Sequence, residues 1–289
     1  MLSKEILEKY DPRGMHKIYD TWPEISHKAY ESDIEPIHFD NVDHIVFAGM
    51  GGSGAIGDLF SSILSKSDIH VSLVKGYLLP KTVDKNTLVV VTSVSGNTAE
   101  TLTVLDSTKK LDCNIIAFSS GGKMEEFCNK NKIHFRKIES IHSPRVSFSK
   151  FTYSILKTQN SMLPIKKNDI IESLNELENI KKQISSHNLS DSNSAINLAN
   201  WISGIPLIYY PHGLQSAATR FKSSLQENTK THAIIEDIIE ACHNGIVSWE
   251  RSSIVQPILL QGKDDYVKTK ERFEIIKKYF EENNIDFKE

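Results

Sequence analysis

The sequence predicts an α/β protein built from doubly wound parallel sheets. Three short runs of apolar residues, at 44–50, 88–92 and 113–119, have the length and composition of strands buried on both faces. Each run is followed by small and hydroxyl-bearing residues and then by a stretch long enough for a helix. Strands that alternate with helices in this way form right-handed βαβ units, whose strands are parallel and whose helices cover both faces of the sheet.

The first half of the chain is expected to hold one complete sheet. Residues before about 40 read as helix and loop that pack on the outside of this sheet. Five strands are predicted, at 44–50, 70–75, 88–92, 113–119 and 133–138. Helices are predicted between them, at about 51–66, 98–110 and 120–131.

The second half repeats this alternation and is predicted to be a second copy of the same architecture. Strands are expected at 206–210 and within 252–261, and helices at 148–159, 169–186, 192–203, 214–226 and 264–283. The pattern changes after the tripeptide Ser143-Pro144-Arg145, so the linker is placed near 140–165, with the helix at 148–159 bridging the domains. We therefore expect an N-terminal domain over 1–150 and a C-terminal domain over 151–289.

Length and composition favour a cytoplasmic globular protein. The 289 residues fit two domains, and 39% hydrophobic with 25% charged residues is ordinary for a chain with a sizeable core. A formal net charge of −3 argues against a nucleic-acid binder. No apolar run approaches a membrane span, and the N-terminus lacks the apolar core of a signal peptide. The widely spaced Cys113, Cys128 and Cys242 indicate neither a disulfide framework nor a metal site.

The stretch VVVTSVSGNTAETL, at 89–102, predicts a phosphate site. Its β-branched residues run into a loop of hydroxyls around one glycine, and a helix starts directly after that loop. Thr98 with Thr101, and Asn97 with Glu100, supply capping chemistry for the helix start. Backbone N–H groups and the positive end of the helix dipole meet there, so an anion can bind without a lysine.

Two further strand-to-helix joints, at 51–54 and 119–122, are also rich in glycine and serine. In an open parallel sheet these joints share the carboxyl edge, where ligands bind. The turn GMGGSG at 49–54 is weak evidence for a dinucleotide, because the next strand ends without an acidic residue to hold a ribose. Ser53 inside that turn suits a hydroxyl or phosphate contact better.

Three residues further along the chain have side chains suited to catalysis. Glu227 stands near the end of a predicted helix, and His243 follows sixteen residues later. A carboxylate and an imidazole in one cleft can divide base and acid work. Arg145 follows Pro144, whose ring fixes its own φ and so restricts the path of the chain into Arg145, and the guanidinium suits developing negative charge. The alternative is that Glu227 lies on a solvated helix face and that Arg145 is an ordinary surface residue, with no role in catalysis.

These motifs, in their order and spacing, resemble one known family. The segments GMGGSGAIGD, SVSGNTAETL, SPR, QENTK and HN are similar to those of the archaeal-type bifunctional phosphoglucose/phosphomannose isomerases. That family belongs to the phosphoglucose isomerase superfamily and is built from two sugar-isomerase (SIS) domains, each a doubly wound parallel sheet. The similarity covers essentially the whole chain, and the SxSGNTxET loop is typical of SIS domains in general.

The resemblance implies a role for each candidate residue. The substrate phosphate would be bound by Gly52, Ser53, Ser93, Ser95 and Thr98. Glu227 would move the proton between C1 and C2 of the open-chain sugar through a cis-enediol, and Arg145 would stabilise the enediolate. His243 would open the sugar ring, lent by the other subunit of a homodimer. The implied enzyme interconverts glucose 6-phosphate and fructose 6-phosphate, with mannose 6-phosphate as a further substrate, and needs no metal or organic cofactor.

The chain departs from the family pattern in two places. Val94 stands inside the phosphate loop where members often have an aromatic residue. Family chains also continue past a strand like the one at Ile285 and carry a lysine that assists ring opening, whereas this sequence stops at Glu289. The C-terminal domain is therefore expected to lack its last segment. Two alternatives stay open: a non-catalytic SIS sugar-phosphate-binding protein, and an SIS isomerase for another sugar phosphate.

Overall fold

A computed structural model describes residues 2–289, which form two compact units divided between Ile196 and Asn197. The division falls after residue 196, whereas the sequence pattern placed a domain boundary after residue 150. Helices that follow residue 150 pack on the first sheet, so they belong to the first unit by their contacts.

The first unit contains a five-stranded parallel sheet in the order β2-β1-β3-β4-β5. The strands are β1 (His44–Ala48), β2 (His70–Val74), β3 (Thr87–Ser93), β4 (Asn114–Ser119) and β5 (His134–Lys137). All residues of β1 and β3 are buried, as their continuous apolar sequence predicts. The five predicted strands are thereby confirmed.

The helices of the first unit are α1 (Lys4–Tyr10), α2 (Met15–Asp20), α3 (Trp22–Tyr30), α4 (Gly52–Leu64), α5 (Ala99–Thr108), α6 (Gly122–Asn131), α7 (Phe148–Gln159) and α8 (Lys167–Ile184). Those from α3 to α8 cover the two faces of the sheet. One apolar cluster joins the sheet to α3, α4, α7 and α8, and a second joins its other face to α5 and α6. Helix α7 was expected to bridge two domains, but Phe151 and Ile155 lie fully inside the first cluster.

The second unit has a smaller parallel sheet in the order β7-β6-β8. Its strands are β6 (Ile205–Tyr210), β7 (Ile234–Asp237) and β8 (Val255–Leu259). Its helices are α9 (Ser194–Trp201, which begins just before the boundary), α10 (Gln215–Thr229), α11 (Ile238–Ala241), a 3-10 helix (Gly245–Glu250) and α12 (Val267–Glu282).

The α/β alternation does recur in this unit, but with three strands in place of five. Residues of α10 pack on one face of the sheet, and residues of α11 and α12 pack on the other. The sequence pattern missed β7 and α11. Both are four residues long, too short for a periodic pattern to show. Among residues 2–289, no helix is long and apolar enough to cross a membrane.

A hydrogen-bond chain around His44 lies at the amino end of the first sheet. The His44 ring has Nε2 2.9 Å from Ser72 Oγ and Nδ1 3.3 Å from Thr87 Oγ1. The Thr87 hydroxyl lies 3.0 Å from Asp84 Oδ1, so it donates to the carboxylate and accepts the His44 Nδ1 proton. Burial, and next the nearby His70, lower the pKa of His44 below its ordinary value of 6.5.

This arrangement makes stability depend on pH. The unfolded chain takes up a proton at His44 more readily than the folded chain does, so stability falls as the pH drops below about 6.5. Above that pH His44 is neutral in both the folded and the unfolded chain, so it no longer lowers the stability. Thermal unfolding between pH 5 and 8 should show this slope, and His44→Gln should flatten it.

The matched control is His38→Gln, which removes an exposed imidazole from the same unit. An unchanged slope in His44→Gln would show that another group causes the pH dependence.

Candidate functional site

The order of the first sheet creates a crevice between β1 and β3. These strands are neighbours, but the chain leaves β1 through α4 to β2 on one side and leaves β3 through α5 to β4 on the other. Ligands of open α/β sheets bind where the strand order reverses in this way. The glycine-rich turn after β1 and the hydroxyl loop at 93–98 therefore open onto the same crevice.

Two of the predicted hydroxyls contact each other there, and a third contacts the backbone of the same loop. Ser93 Oγ lies 2.9 Å from Thr98 Oγ1 and accepts the Gly96 backbone N–H at 3.1 Å. Ser53 Oγ, from the neighbouring turn, accepts the Val94 N–H at 3.3 Å. Both serines are buried, at 7% and 2% exposure for Ser53 and Ser93. The Ser53 hydroxyl thus links the glycine-rich turn to the backbone of the hydroxyl loop.

Ser95 has a different position from the other hydroxyl residues. It is exposed, and its Oγ accepts the Asn97 backbone N–H at 3.3 Å. The Asn97 side-chain amide donates to the Ser95 carbonyl at 3.1 Å. Ser95 is therefore accessible to solvent at the rim of the loop. Its hydrogen bonds with Asn97 stabilise the conformation of the loop.

The third joint, at 119–122, supports the hydroxyl loop by close backbone contact. Ser120 donates its backbone N–H and its hydroxyl to the Val94 carbonyl, at 3.0 and 2.7 Å. Met124 N–H donates to the Gly96 carbonyl at 2.9 Å. Gly96 has a φ of +67°, and a Cβ there would overlap the Gly121 carbonyl. Only glycine satisfies both the backbone conformation and this close approach.

The N-terminus of α5 has no side-chain cap. Thr98 is the N-cap residue, but its side chain makes no capping bond to the helix. Its hydroxyl turns to Ser93 instead, and the Thr101 hydroxyl donates to the Thr98 carbonyl at 3.0 Å. The capping pairs predicted from the sequence, Thr98 with Thr101 and Asn97 with Glu100, are therefore wrong as side-chain caps. The first turn of α5 keeps N–H groups that an anion can accept.

The loop that carries Arg145 lies across the glycine turn. A Cβ placed on Gly52 would be 3.3 Å from the Pro144 carbonyl oxygen and 3.8 Å from Arg145 Cα. The Ser147 hydroxyl holds this loop by accepting the Ile141 N–H at 2.9 Å and donating to the Ser143 carbonyl at 3.0 Å. The first unit therefore brings Arg145, which is half-buried, beside the start of α4.

The other two predicted residues belong to the second unit. Glu227 is half-buried and is the third residue from the end of α10, where Lys230 Nζ donates to its backbone carbonyl at 2.6 Å. His243 is exposed and follows α11 by two residues. Its backbone N–H donates to the Glu240 carbonyl at 2.9 Å. Sequence reasoning placed Glu227 at the end of its helix, whereas it predicted no helix before His243.

Sequence reasoning missed Glu236, a half-buried carboxylate on β7. Burial, and next the charge of Glu240, raise the pKa of Glu236. A pair of acidic residues after two isoleucines gives no sequence signal of its own, since the burial comes from strand pairing with β6.

Among residues 2–289, no group of three or more His, Cys, Asp or Glu side chains could hold a metal ion. The three cysteines are free thiols. Burial raises the pKa of Cys128 to about 11, which keeps this thiol protonated and unreactive.

Comparisons with known proteins match both parts of the chain to SIS domains. Residues 38–161 match the family model of the SIS domain, and residues 191–289 match that of the bacterial phospho-glucose isomerase C-terminal SIS domain. A bifunctional phosphoglucose/phosphomannose isomerase of Caldicellulosiruptor bescii is 30% identical over 88% of this chain and 79% of its own. A D-glucosamine-6-phosphate 4-epimerase of Sulfolobus acidocaldarius is 28% identical over 80% of this chain and 72% of its own.

Among solved structures, the C-terminal domain of glucosamine-fructose-6-phosphate aminotransferase from Francisella tularensis has a similar fold. Its TM-score is 0.64 at 20% identity, over 96% of this chain and 83% of that chain. The fold and the hydroxyl loop thus define a protein of the SIS class. Within that class, the chain belongs to the bifunctional phosphoglucose/phosphomannose isomerase family.

The close packing of the hydroxyl loop can be tested with Gly96→Ala. We expect a loss of more than about 1 kcal/mol of stability, because alanine opposes the positive φ and overlaps the neighbouring backbone. Urea unfolding measures this loss, and thermal shift with fructose 6-phosphate measures binding, which should be lost as well.

Gly76→Ala is the matched control, since a Cβ there meets no atom within 4 Å. Equal effects of the two substitutions would contradict a special role for the Gly96 backbone.

Proposed function

We propose that this protein is an aldose–ketose isomerase that interconverts glucose 6-phosphate and fructose 6-phosphate, and also accepts mannose 6-phosphate. The observation that carries the proposal is the contact between the Ser93 and Thr98 hydroxyls beside the uncapped start of α5, with the Ser53 hydroxyl bonded to the backbone of the same loop. A dianionic phosphate finds there hydroxyl donors, free backbone N–H groups and a favourable helix dipole. Membership of the isomerase family supports the same substrate class.

In this proposal the phosphate anchors the substrate and leaves the other end of the sugar free to react. Gly52 lets the backbone approach the phosphate closely, and the exposed Ser95 adds a hydroxyl at the rim. Holding one end of the substrate converts the proton transfer at C1 and C2 into a step within one complex. The anchoring residues come from the N-terminal domain, proposed over 1–150, and the proton-transfer residue comes from the C-terminal domain, proposed over 151–289.

Glu227 is assigned to proton transfer. Its carboxylate takes the C2 proton of open-chain glucose 6-phosphate, and the electrons of that C–H bond form the C1–C2 double bond of the enediolate. The Arg145 guanidinium stabilises the negative charge on the enediolate oxygens. The Glu227 carboxyl then returns the proton to C1, and a proton moves from O2 to O1 to give fructose 6-phosphate. No electron enters or leaves, so the proposed reaction requires no redox cofactor, and the Arg145 guanidinium takes the charge-stabilising task for which a metal ion would otherwise serve.

His243 is assigned to ring opening, in a homodimer in which each subunit lends this residue to its partner. Its exposure supports this role, because an exposed imidazole on an anchored turn is accessible to a second copy of the chain. The three free thiols fit the reducing cytoplasm, where we place the reaction as a step of glycolysis and gluconeogenesis.

A second candidate function is epimerisation at C4 of a hexosamine phosphate. The relative named as a D-glucosamine-6-phosphate 4-epimerase favours it, since its similarity extends over most of both chains. Nuclear magnetic resonance of the products separates the two activities, because an isomerase converts fructose 6-phosphate and an epimerase inverts the C4 hydroxyl of glucosamine 6-phosphate. Binding of fructose 6-phosphate without any turnover would instead indicate a sugar-phosphate-binding protein.

Substitution of Glu227 tests the proposed mechanism. Glu227→Gln should lower kcat for fructose 6-phosphate by about 100-fold or more, because the amide cannot accept the substrate proton, while the phosphate cluster keeps KM near its original value. A coupled assay for glucose 6-phosphate measures both constants.

Gln226→Ala is the control, because it changes an exposed residue of the same helix and should leave kcat within about twofold of the parent. Undiminished turnover by Glu227→Gln would remove Glu227 from the mechanism.

A further inference from the structure

A pocket of about 490 Å³ lies in the first unit, between α3, α7 and the segment that follows β5. Ile25, Lys28 and Ala29 line it from α3, where spacings of three and four residues put them on one face. Lys150 and Ser154, which are four residues apart, line it from α7. The volume is typical of small-molecule sites. No lining residue belongs to the glycine-rich turn or to the hydroxyl loop, so the pocket is separate from the candidate phosphate site.

The segment after β5 is the wall that lies outside helices and strands, and hydrogen bonds hold its backbone. The Ile138 N–H donates to the Ser119 carbonyl at 2.8 Å. The Ile141 N–H donates to Ser147 Oγ at 2.9 Å. With two helices and this anchored segment as its walls, the pocket is formed before a ligand arrives, which lowers the entropic cost of binding.

Aliphatic side chains supply much of the lining, with at least one from each wall. They are Ile25, Ala29, Ile34, Ile138 and Ile141. Ala29 and Ile138 are buried and belong to the apolar cluster that joins the sheet to α3 and α7. Walls of this kind favour the apolar part of a ligand, because each methylene that leaves water adds to the affinity.

The charged side chains of the pocket give it an excess of positive charge. Lys28, Lys137 and Lys150 line it, together with the carboxylate of Glu139. Lys137 Nζ lies 3.0 Å from Glu125 Oε2, so its charge is balanced by a close partner. Lys150 Nζ lies 3.6 Å from Glu139 Oε2.

The pair of Lys150 and Glu139 is one that a ligand can replace. The Glu139 side chain is 88% exposed, whereas that of Lys150 is only 26% exposed. Water screens an ion pair with so exposed a member, and its contribution to stability is small. A ligand carboxylate inside the pocket can therefore take the place of Glu139 beside Lys150.

Lys28 provides the positive charge that is left unbalanced. The carboxylate whose pKa it influences, Glu24, is bonded to Lys181 instead. Within the described part of the chain, Lys28 itself forms no ion pair. With the other two lysines each matched by a carboxylate, one net positive charge remains, and it matches a ligand that carries a single negative charge.

Ser154 adds a hydroxyl in the interior of the pocket. The residue is 1% exposed, and among residues 2–289 its hydroxyl makes no hydrogen bond. An unpartnered hydroxyl away from bulk water is unfavourable, and a ligand oxygen that accepts its proton would remove this cost.

We propose that this pocket is a binding site for a monocarboxylate with an unbranched apolar chain. Lys28 and Lys150 supply the charge for the carboxylate, Ser154 supplies a hydroxyl donor, and the aliphatic walls take the chain. The inference does not depend on the proposed isomerase activity, because the pocket and the phosphate crevice share no residue.

A series of straight-chain carboxylates tests the apolar part of the site. Isothermal titration of the whole chain with butanoate, hexanoate and octanoate should show an affinity that rises about three- to fourfold for each added methylene. Octanoate should bind at least about tenfold more tightly than 1-octanol, which has the same chain and no charge. An affinity that does not grow with chain length, or no binding of any of the three carboxylates, would overturn the proposal.

Substitutions of the lysines test the charged part. Lys28→Met and Lys150→Met keep most of the aliphatic stem and remove the charge, and each should weaken octanoate binding by about tenfold. Ser154→Ala should weaken it by about threefold. Unfolding midpoints without ligand should stay at the parent value in both lysine variants, which separates lost binding from lost folding.

Lys85→Met is the matched control, since Lys85 is an exposed lysine of the same unit that does not line the pocket. It should bind octanoate as the parent does. Octanoate binding that is unchanged in Lys28→Met and Lys150→Met would place the ligand elsewhere and contradict the assignment. So would displacement of octanoate by fructose 6-phosphate, which would put it in the phosphate crevice.

Discussion

The reversal of strand order between β1 and β3 is the constraint on which the candidate site depends. It brings the turn that contains Ser53 beside the loop that contains Ser93, although 40 residues separate them in the chain. The hydrogen bond from the Val94 N–H to Ser53 Oγ then connects the hydroxyl loop to the glycine-rich turn. Any change in strand order would separate these hydroxyls by at least the spacing of one strand.

The hydroxyl loop is held in shape by its neighbours and still has hydroxyl and N–H groups that could bind an anion. Its outer shape is fixed by Ser120 and by the close approach of Gly96 to Gly121, so no side chain of the loop has to cap α5. The hydroxyls of Ser93 and Thr98 contact each other and remain at the crevice. The loop is thus arranged before a ligand arrives, which lowers the entropic cost of binding.

Each unit carries a different part of the proposed chemistry. The first unit holds the anion-binding groups and Arg145 on a sheet buried between two helical layers. The second unit holds Glu227 on a helix and His243 on a turn anchored by Glu240. The residues proposed to bind the phosphate lie at strand ends, and the residues proposed to transfer protons lie on a helix and on a turn after a helix.

The sequence by itself determined the five strands of the first sheet, the hydroxyl loop and the family. Continuous apolar runs can only be satisfied by burial on both faces, and the order of serine, glycine and threonine after β3 is a local pattern. Only the tertiary structure decided that α7 and α8 belong to the first unit, that Thr98 turns to Ser93, and that Lys28 and Ser154 line one pocket. These outcomes depend on contacts between residues distant in the chain or on the exact path of the backbone, and neither has a signature in local composition or periodicity.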